Sequence, residues 1–102
     1  MAKYTHSTLV MNIQRKYFAA ILSILRRKDI EYRDLSPYWL RRLEKVGRAP
    51  FNLRLLNGMT PPVPEATVRV LKVTKRNSEL QFHLGRVLEV KHWDRKREKP
   101  AR

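Results

Sequence analysis

The six residues Lys28-Asp29-Ile30-Glu31-Tyr32-Arg33 form the densest set of groups in the chain that could do polar chemistry. On an extended strand Glu31 and Arg33 lie two apart and share one face, while Ile30 and Tyr32 point to the other. Lys28 enters from just before that strand and can reach the same opening. A Lys–Glu–Arg set lining a polar cleft can bind a phosphate, hydrogen-bond a base edge, or transfer a proton through Lys28 or Glu31. The same residues on an exposed edge strand would be an ordinary ladder of surface ion pairs. The residue types alone leave both readings open.

Other chemistries find little support. His6, His83 and His92 lack HxH or HExxH spacing, so no metal site is expected. Ser7, Ser23, Ser36 and Ser78 lack the context of a nucleophile elbow. There is no cysteine, which removes disulfides, thiolate catalysis and cysteine-held zinc together. With three glycines there is no phosphate-cradling loop, and nothing calls for a cofactor.

Charge points to the partner. Lys and Arg total 23 against nine Asp and Glu, a formal net charge of +14 over 102 residues. Such a field attracts polyanions, of which nucleic acid is the commonest. The basic residues are not confined to the end of the chain. Arg95, Lys96, Arg97, Lys99 and Arg102 suggest a flexible arm over residues 94–102, but further clusters stand at Arg15–Lys16, Arg26–Lys28, Arg41–Arg42 and Lys72–Arg76. Tyr32, Tyr38, Trp39 and Trp93 lie among arginines, as base stacking with phosphate contact requires. Trp39 reads better as core.

The most apolar run, residues 17–25, is far shorter than the roughly 20 residues of a membrane helix. The polar opening does not read as a secretory signal, so a soluble, cytoplasmic protein with no membrane partner is expected.

Positioning elements follow from periodicity. Residues 8–13 read as a strand. Ile13, Tyr17, Ala20, Ile21, Ile24 and Leu25 fall at helical spacing, giving a helix whose basic end, Arg26 to Lys28, would suit its dipole. A short strand spans Ile30 to Arg33. Ser36 and Pro37 then open a second helix, with Trp39, Leu40, Leu43 and Val46 inward and Gly47 as its stop. The second half alternates as strands: Phe51, Leu53 and Leu55; residues 66–73, whose alternation slips at Val70–Leu71; Leu80, Phe82 and Leu84, broken at Gly85; and residues 87–91. Asn57–Gly58 and Arg76–Asn77–Ser78 mark turns. The sum is an α+β domain of two helices and about five or six mostly antiparallel strands, curled into a small sheet or barrel.

Residues 12–34, NIQRKYFAAILSILRRKDIEYRD, resemble the opening of ASCH-domain proteins, which belong to the PUA-like pseudo-β-barrels. The family pattern is a strand, a helix with a KYF-aIL core, and then G-x-K-x-x-E-x-R. Lys16, Tyr17 and Phe18 match the helix, and Lys28, Glu31 and Arg33 match the last three marked positions. Residues 65–93 look like the closing strands, with His83-Leu84-Gly85-Arg86 resembling the penultimate turn. Arg26 stands where the family has its glycine, and the helix reads as about one turn longer. Members resembling bacterial acetylcytidine amidohydrolases have a threonine where this chain has Glu31, and a carboxylate cannot replace a hydroxyl nucleophile in deacylation.

The resemblance implies an ASCH-like domain over residues 1–93 that binds RNA, with DNA second, or a nucleotide or modified nucleoside in a cleft. Lys28, Glu31 and Arg33 would form its polar floor, and Lys16, Arg41, Arg42, Lys45 and Arg54 the surrounding positive surface. Two alternatives remain: a hydrolase of nucleosides or RNA with Lys28 and Glu31 catalytic, or a basic protein-interaction module. The oligomeric state is open.

Overall fold

Leu9 and Met11 alternate with Thr8, Val10 and Asn12, and this pattern forms β1 (Thr8–Asn12) with its odd residues buried and its even ones exposed. The computed structural model describes residues 7–101. His6 therefore lies outside the described residues.

The next element, α1 (Arg15–Leu22), buries Phe18, Ala19, Ile21 and Leu22. It is shorter than the apolar spacing predicts. Ile24 and Leu25, expected in the core, are 67% and 87% exposed, and Tyr17 is 40% exposed. The helix stops because the following turn satisfies its own backbone. Arg26 donates its N–H to the Ser23 carbonyl, Arg27 donates to Ser23 Oγ, and Lys28 donates to the Ala20 carbonyl. Arg26 has φ +53°, outside the right-handed helical region. The Arg26–Lys28 cluster is thus a turn and does not cap a helix dipole.

After β2 (Ile30–Asp34) comes α2 (Pro37–Val46), whose signals act as expected. Ser36 Oγ accepts the Trp39 N–H, and Gly47, at φ +86°, donates its N–H to the Leu43 carbonyl. Its packing is lighter than its pattern suggests. Trp39, Leu43 and Val46 are only half-buried against the core, and Leu40 is exposed.

Three longer strands, β3 (Phe51–Leu56), β4 (Glu65–Arg76) and β5 (Glu79–Lys91), complete a mixed sheet in the order β1-β3-β4-β5-β2. Only the β1–β3 pairing is parallel. The slip at Val70–Leu71 is real: the β4–β5 register shifts at three points between Thr67 and Lys72. Such bulges add local twist and bend the sheet into a half-barrel. Gly85 does not break β5, which runs through it, so His83–Arg86 is mid-strand and not a turn. A Cβ at position 85 would lie 2.8 Å from Leu71 Cδ2, so glycine lets the bulged Leu71 pass over the strand. Phe18, Ile21 and Leu22 of α1 join Leu53, Val68, Leu80 and Phe82 of the sheet in one fully buried core.

The charge run after Trp93 does not project as an arm. Trp93 is buried, edge-on to Phe18 with ring centroids 5.0 Å apart. The chain then doubles back as β6 (Trp93–Asp94) and β7 (Lys99–Pro100). The Asp94 carboxylate accepts the Arg97 and Lys96 N–H groups, which hold it below the ordinary carboxylate range. Arg95 Nε donates to the Leu22 carbonyl at 2.8 Å, satisfying the end of α1, and Arg27 pairs with Glu98 at 2.7 Å. Local hydrogen bonding outweighs mutual repulsion here, with Arg95 and Arg97 directed to separate partners. Among the described residues no helix is long and apolar enough to cross a membrane.

Removing residues 95–102 is expected to cost about 2 kcal/mol in urea unfolding, the scale of one or two lost hydrogen bonds with partial exposure of Trp93. Its fluorescence should shift to the red. An independent arm would leave both readouts unchanged.

Candidate functional site

The turn at Arg26 brings Lys28 back beneath α1, and β2 carries Glu31 and Arg33 to the sheet edge. The Arg26 guanidinium fixes this return, donating to the Gly85 carbonyl at 2.5 Å and the Lys28 carbonyl at 3.2 Å. Leu84 then donates its N–H to the Asp29 carbonyl, which starts the β2–β5 ladder.

Glu31 is 3% exposed and meets two cations, one at each carboxylate oxygen. Lys28 Nζ lies 3.3 Å from Oε1, and Arg33 Nη1 lies 2.6 Å from Oε2. Both partners are themselves mostly covered. Burying a lone carboxylate costs several kcal/mol, and two directed cations offset it. Arg33 does more. Its Nη2 donates to the Asn12 carbonyl at the end of β1, 2.7 Å away, so one side chain ties the two open edges of the half-barrel together.

The three residues thus converge, as expected, around a hollow of about 870 Å³. Its walls include residues that sequence reasoning placed elsewhere. Tyr17, assigned to the core, and Tyr32, 43% exposed, flank Lys28, whose Nζ lies 5.2 Å and 4.8 Å from their ring centroids. Asn57, Gly58 and Met59 close one side from the loop after β3. Asn57 is anchored there by donating from Nδ2 to the Ile13 carbonyl and accepting from Arg15 Nε. Tyr17 could have been found from the KYF match, which put it beside Lys16. The loop residues gave no signal beyond a turn.

The expected positive surface does not form one patch. Lys16 does not line the hollow but lies on Tyr17, which does, its Nζ 4.9 Å from the ring centroid. Arg41, Arg42 and Lys45 are exposed on α2, where Arg42 and Lys45 line a second groove of about 600 Å³ against β1. Arg54 belongs to neither. It faces outward from β3 and forms a two-bond pair with Glu65 at 3.0 Å. This holds the Glu65 carboxyl below, and the Arg54 guanidinium above, their ordinary values, with the hydrogen bonds the largest cause. His83 does not face the hollow but contacts Thr74 Oγ1 at 2.9 Å, and the His92 carbonyl accepts the Ala101 N–H. Among the described residues no group of three His, Asp or Glu could hold a metal.

Comparison with protein-family models, with curated proteins and with solved structures finds no match to this chain.

Two outcomes test this geometry. Glu31→Gln keeps the shape but leaves Lys28 and Arg33 facing each other, and should cost about 3 kcal/mol in chemical denaturation. Adding Lys28→Met should recover part of that loss, whereas strict additivity would show that the pair is uncoupled. The second concerns acid. Because folding lowers the Glu65 pKa, its contribution is complete above the unfolded value near 4.5 and is lost as pH falls through the folded one. Arg54→Met should flatten that acid limb of the stability–pH curve and raise the Glu65 titration midpoint seen by NMR.

Proposed function

We propose that this chain is an RNA-binding domain of the ASCH-like, PUA-like kind, which takes one unpaired base or modified nucleoside into the hollow beside Glu31. One observation carries the reading: a buried carboxylate holds two cations at fixed positions, Lys28 between the half-exposed Tyr17 and Tyr32 and Arg33 against Trp39. With two cations to one anion, the cluster keeps one positive charge in surplus, which suits a phosphate. The parts of the Tyr17 and Tyr32 rings that Lys16 and Lys28 leave open offer surface for a base, and stacking on such rings tolerates any sequence. Lys28 and Arg33 set affinity, while the Asn12 and Asn57 amides supply donors and acceptors for a base edge.

Two details support the resemblance. The half-barrel is the kind of sheet the pseudo-barrel reading calls for, and Arg26 adopts a left-handed conformation where the family pattern has glycine. The hydrolase alternative draws less support. Both Glu31 oxygens are already engaged, which suits a residue that positions cations more than one that moves protons. A protein-docking role leaves the paired tyrosines without a task.

In fluorescence anisotropy with short single-stranded RNA, log Kd should rise linearly with log salt, reflecting counterion release. Tyr32→Ala should weaken binding roughly tenfold or more, the scale of one lost stacking contact. Lys28→Met should weaken it by a similar factor and also reduce the salt slope by about one contact. Absence of binding to RNA and DNA at low salt would refute this function.

A further inference from the structure

The second groove lies between β1 and α2 and shares Asn12 with the hollow already described. The wall between them is Arg33, whose guanidinium carbon lies 5.6 Å from the Trp39 ring centroid while Nη2 holds the Asn12 carbonyl. The two depressions are therefore neighbours along one opening of the half-barrel.

The β1 side of the groove is a strand edge that no other strand pairs among the described residues. Asn52 donates its N–H to the Ser7 carbonyl and Ile13 donates to the Leu56 carbonyl, so the odd residues of β1 bond to β3. The even residues turn their N–H and C=O outward. The Asn12 carbonyl is taken by Arg33, whereas the Thr8 and Val10 peptide groups have no hydrogen-bond partner among the described residues. The α2 side is cationic and aromatic. Arg42 lies over the Tyr38 ring at 3.9 Å, and Tyr38 itself is half-exposed. Arg41, Arg42 and Lys45 make no ion pair among the described residues, although Glu44 lies on the same helix. In contrast Arg27, Arg54 and Arg97 each face a carboxylate.

We infer that this groove holds the nucleotide adjoining the one in the hollow, so that the ligand is a continuous single strand of RNA and not a free nucleoside. The inference rests on the function proposed above and extends it. Arg42 and Lys45 take the phosphate that leaves the hollow past Arg33. The exposed face of the Tyr38–Arg42 stack receives the neighbouring base. The outward N–H groups of Thr8 and Val10 donate to sugar or phosphate oxygens. An extended acidic peptide could also add to a strand edge, but the cations lead past Arg33 into the tyrosine-lined hollow, which a peptide does not need.

The test measures binding of uridylate oligomers of one, two, four and eight nucleotides by competition against a labelled octamer. It uses the full chain, Arg42→Ala/Lys45→Ala, and a control with the same charge loss on β4, Lys72→Ala/Lys75→Ala, two residues that line neither depression. Affinity should rise roughly a hundredfold from one nucleotide to four, beyond the mass-action gain from extra registers, and then level off. The groove variant should lose about tenfold or more for the tetramer and stay within twofold for the mononucleotide. The control should stay within twofold for both.

Equal affinity for mononucleotide and tetramer, or equal losses in the groove variant and the control, would overturn the second subsite and leave the hollow standing. A glutamate-rich peptide that displaces the octamer from wild type but not from the groove variant would reassign the groove to a protein partner. If no oligomer or mononucleotide binds, the failure lies with the proposed function itself.

Discussion

A carboxylate held almost out of water must be matched by cations fixed in place, and Glu31 imposes that condition on its whole neighbourhood. One exposed lysine would not suffice, because a loose pair at a surface contributes little. Two partly covered cations do suffice, one at each oxygen. For Lys28 to arrive, the chain must leave α1 at Leu22 and reverse within a few residues, which explains the left-handed backbone at Arg26 and the hydrogen bonds stitching that turn. For Arg33 to arrive, β2 must lie at a sheet edge, where the remaining donors of its guanidinium reach the end of β1. The buried charge, the turn and the closure of the half-barrel are one arrangement.

That arrangement also answers a problem of sheet architecture. A five-stranded sheet that curls without closing leaves two edges, here β1 and β2, and open edges invite unwanted pairing. Bulges in β4 supply the curvature, and the gap they leave is spanned by a side chain and a lightly packed helix instead of a strand ladder. Spanning a gap this way leaves depressions on both sides of the span. The hollow beside Glu31 and the groove along β1 are the two sides of Arg33. The depressions proposed to hold ligand therefore arise where the barrel fails to close, and anything bound across both would brace the fold as it binds.

Local chemistry made parts of this legible in advance. Ser36, Pro37 and Gly47 mark α2 because capping acts within a few residues, and the slip at Val70–Leu71 reveals a bulge because alternation is strict on a strand. The convergence of Lys28, Glu31 and Arg33 was one of the two readings that their spacing left open. What failed depended on partners far away in sequence. Ile24 and Leu25 carry helical spacing, yet the turn that exposes them is held by Arg26 on Gly85, about sixty residues on. The basic run after Trp93 looks like a solvated arm until Trp93 finds Phe18 and Arg95 finds Leu22. Arg54 looks like available charge because Glu65, its partner, lies across a strand pair that the residue pattern does not name.

The distribution of the surplus charge favours the proposed binding surface over charge that serves solubility alone. Solubility needs net charge and is indifferent to where it sits. It gives no reason to leave Tyr17, Tyr32 and Tyr38 half-exposed, when burying aromatic rings is among the largest stabilising contributions open to so small a chain. Nor does it give a reason to set cations against those rings. Carboxylates neutralise Arg27, Arg54 and Arg97, while Lys16, Lys28 and Arg42 lie on tyrosine faces. Glu31 fixes Lys28 and Arg33 from beneath at the opening of the half-barrel, whereas Glu65, Asp94 and Glu98 pair with arginines that line neither depression there. Stability is thus given up at one place, the unclosed side of the sheet, and positive charge is left beside flat apolar faces there. A flexible polyanion carrying planar rings satisfies both features, and an acidic protein surface satisfies only the first.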